Sequence, residues 1–379
     1  ALYDRFVNQG AVMGDSFGLE SVLWFANDPK DAYEEPTIKR SRSHEYVSKE
    51  VKNVRENVGV IEIANFSKHE FKGPDARKFL NYVLAGTIPK PGRISLNPML
   101  TPKGKLYGDL TVACLDEDKF IVFGSGAVQE MHRRWFEKHL KDFNLIYQNR
   151  SDDFHGLALS GPKSRELLQK LVRENISNEN FKFRDVKEMY VAGVPAIVNR
   201  ISFTGELGYE IYVAPQFLLK LFEEMELIGE EFGLKPFGGR ALMSMRLEKN
   251  WGAWTLDFRP DFTAKESGLD FFINWNKDFI GKENAKKDNS KLKLTPLIVE
   301  TKDIDVTNNE AVVKDGKSIG YITSGGFAHY VKKSIAYSYL DEEILKTNSK
   351  FKVEINGDFY ECSIIKEPLY DPRGTKMRS

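Results

Sequence analysis

The sequence predicts an α+β chain in three parts, two related α+β halves followed by a small all-β domain. Two observations carry this. A strand running into Gly-Pro and then an amphipathic helix occurs twice, at Gly73-Pro74-Asp75-Ala76-Arg77 and at Gly161-Pro162-Lys163-Ser164-Arg165, 88 positions apart (161 minus 73). After about Asp288 the helical patterns give way to short strands and turns. The length of 379 residues agrees, being enough for roughly two to three domains with ample chain to bury a core.

Composition excludes some classes of function. The 55 basic and 55 acidic residues balance, so no basic excess recommends nucleic acid and no polybasic block an anionic membrane. No apolar run approaches the roughly 20 residues of a membrane span. The first ten residues lack the basic and apolar regions of a secretory signal. Cys114 and Cys362 lie far apart with no CxxC spacing, which fits small buried hydrophobes in a reducing compartment.

Taken in order, residues 1–45 read as a lead-in that Trp24 and Phe25 anchor on the next domain. Lys39-Arg40-Ser41-Arg42 reads as a solvated linker. A helical pattern starts at Ser48, a strand spans 58–63, and a second strand ends at Phe71. Pro74 suits the first turn of a helix whose apolar stripe is Ala76, Phe79, Leu80, Val83 and Leu84.

The stretch MLTPKGKLYGDLTVAC, 99–114, is the most informative. Its second half alternates, with Leu106, Leu110, Val112 and Cys114 on one face and Tyr107, Asp109 and Thr111 on the other. Asp is disfavoured inside strands, so this carboxylate is either a tolerated residue on a solvent-facing strand or a functional one. The strand at 120–123 enters Gly124-Ser125-Gly126 and a helix bearing Val128, Met131, Trp135 and Leu140. A dinucleotide fingerprint would need a third glycine where Gln129 stands, so that reading is rejected, although backbone N–H groups at the two glycines can still meet a ligand.

The second unit begins with the strand at 157–160 and a helix bearing Leu167, Leu168, Leu171 and Val172. If the two units are one repeat, the region to about 280 holds two halves with a crevice between them, a common place for a ligand. A hairpin follows, with strands at 198–203 and 209–213 and Thr204-Gly205-Glu206-Leu207-Gly208 as its turn. The turn presents the Glu206 carboxylate at its tip. Helices come next, one with Phe217, Leu218, Leu221, Phe222, Met225 and Ile228, and one over 240–248 in which Arg246 and Glu248 read as ion-pair partners. The C-terminal part (289–379) has strands near 297–300, 311–313, 319–322, 334–339, 351–355 and 359–365, with Asp315-Gly316 and Asn356-Gly357 as hairpin turns, and forms a barrel or a sandwich. The six histidines show no HxH or HExxH, and His132 and His139 are expected on a helix surface, so no metal is assigned.

These residues together carry a resemblance. Val58-Gly59-Val60-Ile61-Glu62-Ile63, Met99 to Gly104, Leu106-Tyr107-Gly108-Asp109-Leu110, Ser202 to Glu210, Met245-Arg246-Leu247-Glu248-Lys249 and Thr323-Ser324-Gly325-Gly326, in this order, resemble the aminomethyltransferase (glycine cleavage T-protein) family. Within it the chain resembles most the folate-binding C-terminal half of dimethylglycine and sarcosine dehydrogenases. The resemblance implies a three-domain clover-leaf around a central tetrahydrofolate channel, with a folate region at 46–288 and a β-barrel at 289–379. It implies that Asp109 is the catalytic acid–base and that Glu206 grips the pterin. Tyr107, Thr111, Gly124, Leu207 and Gly208 are implied as further folate contacts. Gly108-Asp109 replaces the Asp-Asp pair of glycine-cleavage enzymes, Glu62 replaces their early Asp, and Leu242 stands where they carry Arg. These departures turn the expectation away from a lipoyl carrier. The expected function is tetrahydrofolate-dependent transfer of a methylene from an N-methyl amine or its iminium, of the dimethylglycine or sarcosine type. The alternatives are direct methyl transfer from a methylated small molecule and a non-catalytic folate-binding partner of a flavoprotein. Expected partners are the methylated amine and a flavoprotein dehydrogenase domain or subunit, with no nucleic acid and no membrane. The expected location is the cytoplasm, or the mitochondrial matrix in a eukaryote.

Overall fold

The computed structural model describes residues 2–16, 18–346 and 350–379. It begins with α1 (Tyr3–Asn8) and the hairpin of β1 (Ala11–Ser16) and β2 (Leu19–Phe25), then α2 (Ser43–Glu56) leads into β3 (Val58–Glu62). The boundary expected near 45 falls inside α2. The segment before it is built into the domain: Leu2, Phe6, Ala11 and Phe25 join the core of the second half, while Val12 and Trp24 pack with Val47, Val51 and Met245.

The first half runs β4 (Phe66–Lys72), α3 (Ala76–Val83), β5 (Arg93–Leu100), β6 (Leu106–Asp116), β7 (Lys119–Ser125), α4 (Gln129–His139) and β8 (Ile146–Asn149). The second runs β9 (His155–Ser160), α5 (Ser164–Leu171), β10 (Val186–Val191), β11 (Val194–Asn199), β12 (Gly208–Val213), α6 (Leu218–Gly229) and β13 (Leu234–Pro236), with α7 (Gly239–Glu248) after it. Strand order is β5-β6-β7-β4-β8 in one sheet and β10-β11-β12-β9-β3-β13 in the other, the same arrangement with β3 inserted. The repeat is therefore structural. The offset of 88 recurs at the starts of α3 and α5 (164 minus 76), at the starts of β6 and β11 (194 minus 106) and at the ends of β7 and β12 (213 minus 125). Gly73 and Gly161 have φ of 136° and 134°. A Cβ on either would press on backbone, the Leu145 Cα at 2.9 Å and the Asn57 carbonyl oxygen at 2.4 Å, so both positions need glycine.

The apolar stripes fix the layering. α3 and α4 cover the outer face of the first sheet through Phe79, Leu80, Val83, Trp135 and Phe136, and α5 and α6 cover that of the second through Leu167, Leu168, Leu221 and Phe222. The inner faces meet through Ile63, Ile94, Ala113, Ile121, Phe123, Val186, Ile197 and Tyr212, with the Phe123 and Tyr212 rings stacked at 4.7 Å. His132, expected on the surface, is buried instead. Three- and four-residue spacing puts it on the same side of α4 as Trp135 and Phe136, and its Nε2 pairs with the Tyr107 carbonyl at 3.0 Å.

The C-terminal part closes as a barrel, β14-β17-β16-β15-β18-β19, made of β14 (Leu292–Val299), β15 (Ala311–Lys314), β16 (Lys317–Ala328), β17 (Lys333–Asp341), β18 (Lys352–Ile355) and β19 (Asp358–Ile364). Asp315-Gly316 and Asn356-Gly357 have positive φ at both residues, the hairpin geometry that such pairs favour. A buried carboxylate clasps the barrel to the rest. Asp257 Oδ1 accepts from the Thr323 and Ser324 hydroxyls at 2.5 and 2.7 Å, and its Oδ2 accepts from Arg246 at 2.9 Å. Two of the sequence motifs thus meet on one residue that no motif contains.

A second contact across this junction titrates. The rings of His44 in α2 and His329 beside the barrel lie 4.6 Å apart. Burial, then His44, lowers the His329 pKa below its ordinary 6.5, despite Asp305 nearby. A folded-state pKa below the unfolded one means that the stability of the neutral ring is complete above 6.5 and is lost as pH falls. Relative to the unchanged protein, His329→Leu is therefore expected to gain about 2 kcal/mol at pH ~5 over its value at pH ~8. Urea titrations at the two pH values check this, and an equal difference at both refutes it.

Candidate functional site

Strand β6 delivers Asp109 to the layer between the sheets. Leu110, Val112 and Cys114 pack beneath α3 and α4, whereas Ala113 belongs to the inner core, so Asp109 and Thr111 share the inner face. Asp109 is half-buried and its surroundings are mostly protein, so burial pushes its carboxyl up to about 7. Its partner across β5 is Pro98, which has no N–H to offer.

Tyr107 does not share that face. Gly108 pairs with Met99 and Leu106 with Leu100, so Tyr107 is the unpaired residue of a bulge. The bulge interrupts the alternation and sends the ring outward, to 4.6 Å from the Trp135 ring in the helix-covered core. Gly124 lies within β7, where a Cβ would meet Leu110, Ser67 and His132, so close packing accounts for it.

The expected hairpin tip is a different structure. β11 ends at Asn199, where its pairing with β12 stops, while the Arg200 backbone still bonds to Asp185 and Arg184 on the β10 side. The loop at 200–207 then folds inward, leaving Glu206 only 1% exposed rather than projecting. Glu206 Oε1 accepts from Arg55 Nη1 at 2.9 Å and from the Tyr370 hydroxyl. Arg55 also donates to the Thr204 carbonyl at 2.8 Å and to Glu248 at 2.6 Å, and it lies 3.7 Å from the centre of the Tyr370 ring. Glu248 is held by two barrel-side backbone donors, Tyr330 and Val331. Glu206 thus ties the loop to α2 and the C-terminal segment, and Arg55 extends the network to Glu248 in α7. Leu207 is a core residue whose carbonyl accepts from Gly161 and Ser164, and Gly208 opens β12 opposite Ser160.

The residue that sequence reading passed over is Glu210, although the period-two argument used for Asp109 applies to it. Tyr209 and Ile211 face the helix-covered core and Tyr212 faces inward, so Glu210 is the strand-interior carboxylate of the inner face. Burial raises it to about 7. Its Oε2 accepts from the Tyr212 hydroxyl at 2.8 Å. Asn199 stands opposite it on β11, fully buried, and its side-chain amide, like the Tyr212 hydroxyl, favours the ionised Glu210 carboxyl. Two carboxyl groups poised near neutrality thus enter one layer from facing sheets, an arrangement suited to proton transfer and to holding N–H donors. Among the described residues, no group of His, Cys, Asp or Glu side chains converges as a metal site.

The family model of the GCVT N-terminal domain matches residues 2–277, and that of the glycine cleavage T-protein C-terminal barrel domain matches residues 293–371. The chain is 36% identical over 365 residues to the mitochondrial dimethylglycine dehydrogenase of Mus musculus, covering 94% of this chain and 42% of that protein. The Homo sapiens protein of that name is 34% identical over 385 residues, covering 100% of this chain and 44% of the relative. The chain therefore spans less than half the length of these dehydrogenases. The aminomethyltransferase of Desulfitobacterium hafniense (strain Y51) is 31% identical over 379 residues, 98% of each. The crystal structure of glycine cleavage system aminomethyltransferase T from Bartonella henselae has the same fold, with a TM-score of 0.84 at 21% identity over 98% of this chain and 97% of that one.

Proposed function

Because the chain belongs to the glycine cleavage T-protein family, whose folate-dependent members transfer one-carbon units, we propose that it moves a methylene from an N-methyl amine or its iminium to tetrahydrofolate. The dimethylglycine dehydrogenase relatives support a dimethylglycine- or sarcosine-type donor and a flavoprotein dehydrogenase domain or subunit as partner. Their mitochondrial names and the two free cysteines support a reducing compartment such as the matrix. Among the described residues no helix is long and apolar enough to cross a membrane.

One observation carries the reading at the level of residues: Asp109 and Glu210 enter the same inter-sheet layer, each pushed to about 7. The residues there fit a reduced pterin. Glu210 can accept from adjacent ring N–H groups, and the buried Asn199 amide beside it can serve an oxygen or a further N–H. Tetrahydrofolate supplies the nucleophilic amine that takes the one-carbon unit. Asp109 holds or accepts the proton of that amine and, once ionised, stabilises positive charge nearby. Thr111, on the same face, lines the layer.

Calorimetry with tetrahydrofolate tests this. Glu210→Gln is expected to bind about 10- to 100-fold more weakly while staying folded, the cost of losing a charged acceptor. Glu206→Gln is expected to lose thermal stability first, since its partners are protein groups. Unchanged affinity in folded Glu210→Gln refutes the assignment.

A further inference from the structure

Lys68 is fully buried in the same layer, and neither the fold nor the reaction as described explains it. It pairs with Phe123 on β7, which pairs with Thr111 on β6, so the three side chains share the inner face. Its ammonium donates to the Ala64 carbonyl at 2.8 Å and, among the described residues, to no carboxylate. Isolated buried charge is costly and calls for a reason. The ammonium lies 5.8 Å from the centre of the Tyr212 ring, and the Tyr212 hydroxyl is the donor to Glu210.

We propose that Lys68 is a positioning residue whose buried ammonium, acting across Tyr212, keeps Glu210 a carboxylate able to accept from the N–H edge of a ligand. This rests on the reading of the inter-sheet layer as the folate site. The groups facing Glu210 are Tyr212 on its own strand, Asn199 on β11, Ala158 on β9 and Lys68 on β4, and only the last brings positive charge. Around Lys68 stand Glu62 on β3, Asp152 after β8 and Glu210 itself, with His155 on β9 feeling its charge. Burial holds Lys68 down to about 8 and Glu210 up to about 7, and the attraction between the two charges works against burial at both groups. Ligand N–H donors favour the ionised carboxyl, and the lysine makes that form available at lower pH.

The test is tetrahydrofolate affinity at two pH values. Lys68→Met removes the charge and keeps the stem. It is expected to bind about tenfold more weakly than the unchanged protein at pH ~6.5 and within about threefold at pH ~8.5, where Glu210 ionises without help. Lys68→Gln carries the same expectation with a different side chain, and Lys68→Arg is expected to follow the unchanged protein at both values. A residue that only packs would give the same loss at both. Equal losses, or none, in Lys68→Met and Lys68→Gln overturn the proposal. Failure of the unchanged protein to bind tetrahydrofolate, or full binding by Glu210→Gln, would instead remove the site reading beneath it.

Discussion

Asp109→Asn is expected to slow one-carbon transfer to tetrahydrofolate by about 10²- to 10⁴-fold, the usual range for a positioned acid or base. Asparagine keeps the size and much of the hydrogen bonding of aspartate, but it neither takes a proton nor carries charge. A carboxyl held near 7 is split between its two forms under ordinary conditions, and that is the property lost. Folate affinity is expected to change by less than about tenfold, because the interaction matters chiefly in the transition state. Single-turnover rates with an N-methyl amine donor, beside calorimetry on the same preparations, separate the two effects. Full transfer by a folded Asp109→Asn refutes the catalytic role. Absence of transfer by the unchanged protein with every such amine would favour a folate-binding scaffold.

The largest effect on stability is expected from Arg55→Met. Arg55 is buried and neutralises two buried carboxylates, Glu206 and Glu248. Removing one partner of a buried pair costs about 3–5 kcal/mol, because the remaining charge is stranded. Here two charges are stranded, so the loss is expected at or above the top of that range. Urea unfolding at pH ~7 measures it. Adding Glu206→Gln and Glu248→Gln to Arg55→Met is expected to restore most of the loss. A loss under about 1 kcal/mol would show that the network contributes little.

The two halves were legible because repetition and amphipathic spacing are local. Gly73-Pro74 and Gly161-Pro162 announce the same turn whatever lies around them, and the inward direction of Asp109 follows from alternation alone. The bulge at Tyr107 was not legible, since it is defined by the register of β5 against β6. Glu206 looked like an exposed tip because its partners, Arg55 and Tyr370, are 151 and 164 positions away. Glu210 carried the same signal as Asp109 but stood beside a glycine-rich turn that drew the functional reading. The buried face of α4 hid His132 for a simpler reason: three- and four-residue spacing from Trp135 and Phe136 outweighs polarity once the helix docks.

The groups that fix Glu206 also differ in when they exist. Arg55 and Glu206 leave the ribosome long before Tyr370, and the barrel must be made in between. During synthesis, then, the loop at 200–207 has its cation but not its phenol, which arrives only when the segment after β19 crosses back from the barrel. The loop that Glu206 fixes is therefore translated well before the phenol that completes its hydrogen bonding.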